Sequence, residues 1–138
     1  MTLLCDTGVL LSAADADEPR HQACADLLRE HRGDLLLPAP VIPETAWLLE
    51  SRLSPSAEAR FLRLITTGAL RVIDLALADY ARCVELIEQY ADLGLGLVDA
   101  SIITIAENRG ITTLATLNAR DFSVVRPRHA EGFDLLPR

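Results

Sequence analysis

The chain has 138 residues, half of them apolar and about a quarter charged, with a formal net charge of −7. That length supports one domain with a buried core and is too short for two ordinary ones, and Gly and Pro are not in the excess that marks disorder. All 13 basic residues are Arg, which excludes lysine-dependent mechanisms such as Walker-type phosphate loops, Schiff bases and protein-kinase chemistry, while the acidic balance argues against broad, non-specific nucleic-acid binding.

Residues 2–5 read as a short, fully buried strand. Arg20 to Arg32 carries Cys24, Leu27, Leu28 and His31 at helical spacing. Leu35, Leu36 and Leu37, before Pro38, form a second buried strand. Pro43 fits the first turn of a helix running to about Leu53, which places Glu44 just inside its start. Ser54 and Pro55 read as the cap and first residue of a helix that buries Phe61, Leu62 and Ile65. Leu70 to Leu75 is a third strand, and from Leu77 the positions Leu77, Tyr80, Ala81, Val84, Ile87 and Ala91 trace the cleanest apolar stripe in the chain. After Gly94 and Gly96, Leu97 to Asn108 forms a helix that Gly110 stops. Ile111 to Ala115 is a fourth strand and Phe133 to Leu136 a fifth candidate. Strands alternating with helices predict a single α/β domain over residues 1–138, with a mainly parallel central sheet flanked by helices.

The N-terminal stretch Met1 to Asp6 lacks a basic n-region, and the longest weakly polar stretch, Leu93 to Ala106, falls short of a membrane span. The expectation is a cytoplasmic protein without a membrane partner. Cys5, Cys24 and Cys83 form neither a zinc pattern nor a redox motif and read as buried thiols, and the three histidines are equally scattered.

Three carboxylates fall where apolar surface is expected. Asp6 ends the run Leu3-Leu4-Cys5, Glu44 lies one turn before Trp47 and Leu48, and Asp99 one turn before Ile102 and Ile103. Positions i, i+3 and i+4 share a helix face, so Glu44 and Asp99 are expected to point inward, and Trp47 to pack in the core. A buried charge costs several kcal/mol unless it is paired or bound to a metal.

In open parallel sheets, ligand sites form beyond the carboxyl ends of the strands. Asp6 follows strand one, Asn118 and Asp121 follow strand four, and Glu44 and Asp99 open helices that start at the same edge. Converging carboxylates suit Mg²⁺ or Mn²⁺, and such a cation suits phosphodiester hydrolysis, with Glu44 placed to orient or deprotonate a water. Thr7, Thr116 and Asn118 are candidates to orient these acids, with turn and cap roles as the alternative. Each acid also has an ordinary explanation as a strand-end, first-turn or loop residue. A haloacid-dehalogenase-like reading fails because Gly8 stands where a second Asp is needed. Gly94-Leu95-Gly96 fails as a dinucleotide loop because a helix precedes it and its third glycine position is Asp99.

Cys5-Asp6-Thr7-Gly8-Val9-Leu10, Pro43-Glu44, Gly96-Leu97-Val98-Asp99-Ala100 and Thr116-Leu117-Asn118-Ala119-Arg120-Asp121-Phe122 occur in that order. Together they resemble the PIN-domain pattern, and the spacing resembles the VapC toxins of bacterial VapBC toxin–antitoxin pairs over essentially the whole chain. The resemblance implies a Mg²⁺- or Mn²⁺-dependent endoribonuclease toxin, usually a homodimer, held inactive by a VapB-type antitoxin. Asp6 and Asp99 match the family's metal-binding acids and Glu44 its central acid. Asn118 stands where many PIN domains carry an acid, so either Asp121 supplies the fourth carboxylate or the site works with three. A catalytically silent PIN-like module that binds RNA or protein, and a DNA-directed nuclease, remain the alternatives.

Overall fold

The computed structural model describes residues 1–138. In chain order the elements are β1 (Leu3–Cys5), α1 (Thr7–Ala14), α2 (His21–Glu30), β2 (Leu35–Pro38), α3 (Val41–Arg52), α4 (Pro55–Thr66) and β3 (Arg71–Ile73). There follow α5 (Leu77–Gln89), a 3-10 turn at Ala91–Leu93, α6 (Leu97–Arg109), β4 (Thr113–Ala115), α7 (Ala119–Phe122) and β5 (Asp134–Leu136). All five strands are parallel, in the order β3-β2-β1-β4-β5.

β1 is the middle strand and is wholly buried; Leu3 lies beside Leu35 on one side and Thr113 on the other. A strand enclosed on both edges and both faces reads as an uninterrupted apolar run, which is why Leu3-Leu4-Cys5 shows no alternation. Its neighbours are β2, reached by the first crossover, and β4, reached only near the end of the chain. The strand order therefore reverses at β1, and the crevice beyond the carboxyl ends of β1 and β4 is the switch point where α/β sheets bind ligands.

Helices cover the sheet in packed pairs, α1 on α2, α3 on α4 and α5 on α6. Every residue of α6 from Ala100 to Ala106 is buried. Its polar members are partnered internally, Ser101 donating to Val98 O at 2.6 Å and Thr104 lying 3.6 Å from Cys83 Sγ. Gly110, at φ +67°, ends the helix by donating its N–H to Ala106 O. The three thiols are free and buried as expected, and burial pushes Cys5 up to about 12.

The helix α1, immediately after Asp6, is not expected from the sequence. Pro43 lies in the first turn of α3, as expected, where its missing N–H has no intrahelical partner to lose. Two expectations about exposed faces need correction here. Leu62 is exposed while Phe61 is buried. The apolar stripe of α5 faces outward, with Leu77 89%, Tyr80 48% and Val84 54% exposed. Cys83 and Leu86 form the buried face instead, because Arg82 packs against α6 in a bidentate pair with Glu107 (Nε–Oε1 2.8 Å, Nη2–Oε2 2.9 Å) and sets the rotation of the helix.

Ser54 caps α4 by accepting the Ala57 N–H at 3.1 Å, with Pro55 at the first helical position. Ser54→Ala is expected to lower unfolding stability by about 1 kcal/mol and Ser54→Asp to preserve it, read from urea denaturation midpoints.

Candidate metal centre

Asp6 leaves β1 at the switch point, where its backbone N–H donates to Ala115 O of β4 at 2.9 Å. Its carboxylate takes a hydrogen bond on each oxygen, from Thr7 N–H to Oδ1 and from the Thr116 hydroxyl to Oδ2, both at 2.8 Å. Thr116 Oγ1 in turn accepts the Asn118 N–H at 3.0 Å, so the residues after β4 fix the orientation of the acid after β1. Burial pushes the Asp6 pKa up, and the two hydrogen bonds oppose it. Thr7 contributes its backbone only; its buried hydroxyl has no partner.

Asp99 is the third residue of α6, half-buried above Ile102 and Ile103 as expected. Its pKa is pushed up to about 6, first by burial, then by repulsion from Asp6, Asp121 and Glu44, with the Gly96 N–H pulling the other way. That mutual repulsion places four acids, the residue that follows β1 and one each from α3, α6 and α7, at one edge of the sheet. They do not form a ready-made set of three liganding side chains. A donor set of oxygens alone, partly desolvated and self-repelling, nevertheless fits a hard divalent cation that keeps several waters and takes one or two carboxylates.

Asp121 is held from both sides. Asn118 caps α7, accepting the Asp121 N–H on Oδ1 at 3.3 Å and donating Nδ2–H to Asp121 Oδ2 at 3.1 Å. Arg120 Nε donates to Asp121 Oδ1 at 3.2 Å. Asn118 is thus the clamp on the acid three positions later. Arg120 is the one side chain in contact with these acids that the sequence did not single out. A signal existed, since it is the only basic residue within four positions of any of the four acids.

Glu44 does not point inward. The buried face of α3 is Val41, Thr45 and Leu49, so Glu44 and Trp47, one turn apart, share the outer face, and Trp47 is 65% exposed. Glu44 ranks behind Asp6 and Asp121 in its effect on Asp99, as befits an acid at the rim.

A cavity of about 730 Å³ lies elsewhere, among Leu10, Leu28, Leu49, Phe61 and Leu64, with Arg29, Arg32 and Arg60 in its lining. None of the four acids borders it. The four acids instead line the open crevice at the strand ends, where Asp6, Asp121 and Glu44 all repel Asp99.

The family model described as PIN domain matches residues 3–126. The chain belongs to the PIN-domain family. Over 135 residues, 98% of this chain and the whole of its relative, it is 28% identical to Ribonuclease VapC26 of Mycobacterium tuberculosis. The fold superposes on VapC20 of Mycobacterium tuberculosis, described as a sarcin-ricin loop cleaving toxin, with a TM-score of 0.83 at 18% identity, covering 94% of this chain and 98% of that one. It also matches a toxin–antitoxin complex from Klebsiella pneumoniae (TM-score 0.70, 19% identity, 90% and 92% covered). A DNA-bound VapBC from Salmonella typhimurium matches with a TM-score of 0.69 at 16% identity, with 98% and 96% covered. The five-stranded parallel sheet flanked by helices is the PIN fold.

Native Asp99 keeps its proton up to about pH 6, whereas an unfolded aspartate loses it near 3.8. The native state binds more protons between those values, so this group's contribution to stability falls as pH rises across the window. Asp99→Asn is neutral throughout. In metal-free protein it should raise Tm by a few degrees at about pH 7.5 and leave it unchanged at about pH 3.5. Calorimetry at both pH values checks this, and an equal shift at both would contradict it.

Proposed function

We propose that this PIN protein is a divalent-metal-dependent endoribonuclease and the toxin of a VapBC-type pair, acting in the cytoplasm to cut RNA and arrest translation. The observation that carries the reading is the convergence of Asp6, Asp99, Asp121 and Glu44 on the switch-point edge. The full-length similarity to a ribonuclease supports the choice of RNA. No helix is long and apolar enough to cross a membrane.

In this reading Asp6 and Asp99 hold Mg²⁺ or Mn²⁺. The cation, when bound, polarises a phosphoryl oxygen and lowers the pKa of a bound water. Thr116 keeps Asp6 oriented toward the site through its 2.8 Å hydrogen bond. Asp99, which carries a proton up to about pH 6 in the free protein, gives it up to serve as a ligand. Glu44, exposed at the rim, orients the attacking water or accepts its proton. Asp121, fixed by Asn118, assists.

A VapB-type antitoxin as partner is supported by the toxin–antitoxin complexes from Klebsiella pneumoniae, Salmonella typhimurium and Rickettsia felis among the similar folds. A basic antitoxin side chain inserted among the four acids would neutralise them in place of the cation. The uncovered apolar side chains of α5, Leu77, Tyr80 and Val84, favour a homodimer, since monomers seldom expose contiguous apolar surface.

Asp6→Ala and Asp99→Ala should each lower cleavage of single-stranded RNA by at least about 10²-fold in saturating Mn²⁺ and abolish growth inhibition, while circular dichroism shows the fold intact. Excess EDTA should silence the unaltered protein. Full activity in both variants, or in EDTA, would sink the reading; cleavage of DNA but not RNA would redirect it to a DNA nuclease.

A further inference from the structure

We infer that Arg120 is the side chain that takes the backbone phosphate of the RNA and delivers it to the acidic crevice, an inference resting on the ribonuclease reading above. A chain of net charge −7, with four carboxylates at its reactive edge, repels a polyanion there. Binding RNA at that edge calls for a local cation from the protein as well as the metal. Most of the other arginines with a partner in the structure are spoken for away from the crevice. Arg82 and Arg128 pair with Glu107 and Glu85, Arg29 with Asp26, and Arg138 with Asp134. Arg120 alone pairs with one of the four acids, through Nε to Asp121 Oδ1 at 3.2 Å.

Two features make this pairing a presentation device. The Arg120 side chain is 85% exposed, whereas that of Asp121 is only 14% exposed, so a fixed, sheltered carboxylate holds a guanidinium out in solvent. The contact uses Nε, leaving Nη1 and Nη2 for another partner. Two terminal N–H groups in a planar fork match the oxygens of a phosphate, and Arg is the residue suited to that bidentate contact.

An exposed ion pair contributes little to stability, so the pairing can loosen at small cost when phosphate arrives. Asp121 does not move with it, because Asn118 Nδ2 holds its other oxygen and Asn118 Oδ1 its N–H. Asp121 thus assists by anchoring Arg120. The Thr116 hydroxyl, which takes the Asn118 N–H and donates to Asp6, ties that anchor to the acid after β1.

The test is the affinity of a fluorescent single-stranded RNA oligonucleotide, by anisotropy in Mn²⁺ across a salt series. It is run in a Glu44→Gln background so that cleavage does not consume the probe. Arg120→Ala is expected to weaken binding about tenfold and to flatten the log–log salt dependence by about 0.7, the loss of one phosphate contact on a single strand. Arg120→Lys should restore the salt slope and part of the affinity. In the cleaving protein, Arg120→Ala should raise KM with kcat within about twofold.

Unchanged affinity and slope in Arg120→Ala would overturn the inference while leaving the ribonuclease reading intact. So would a variant that loses only Mn²⁺ affinity, or only its grip on a co-purified antitoxin. RNA bound through Arg120 but never cut by the unaltered protein would instead uphold Arg120 and defeat the reaction. No RNA binding at any salt would defeat both.

Discussion

Like-charge repulsion at the carboxyl ends of β1 and β4 is the constraint around which the rest of the molecule is arranged. Burial first, and then repulsion from Asp6, Asp121 and Glu44, carries Asp99 to about 6. Holding them together costs stability, so the surrounding fold must be rigid enough to withstand it. The rigidity is visible. β1 is sealed on every side, α6 is buried along seven consecutive residues, and Asp6 is tied to β4 by its backbone and by Thr116.

The same constraint explains the polar chemistry beside the acids. The hydrogen bonds running from Asn118 to Thr116 to Asp6, and from Asn118 to Asp121, all keep two carboxylates in place without neutralising them. Arg120 is the only full positive charge in contact with the group, and it lies outermost, where solvent weakens its hold. In the reading proposed above, a centre built in this way keeps negative charge for a cation while Arg120 offers incoming phosphate one cationic handle.

Much of the fold was legible because each strand is a short apolar run and each long helix has a start or stop signal, such as Ser54-Pro55 and Gly110. What the sequence hid was rotation. On α3, Trp47 looked like a core residue and carried Glu44 inward with it, but the buried face follows Val41, Thr45 and Leu49. On α5, two apolar stripes compete. The choice falls to the pairing of Arg82 with Glu107, 25 positions apart, which no local periodicity reveals. α1 was missed because Thr7–Ala14 is apolar almost all round, so it has no polar face to mark its period. The candidate site fared better, because strand-end position depends on topology rather than on helix rotation. Asp6, Asp99 and Asp121 stand where strand order puts them, and Glu44 reaches the same edge from the outer face of its helix.

The central claim is that these repelling carboxylates exist to be joined by a divalent cation. Titration calorimetry with Mn²⁺ in buffers of differing ionisation enthalpy tests it most directly. The account predicts one saturable site that releases more protons at about pH 5.5 than at about pH 7.5, because Asp99 must lose its proton to bind, with the difference gone in Asp99→Asn. No saturable binding, or binding with the same proton release at both pH values, would contradict it.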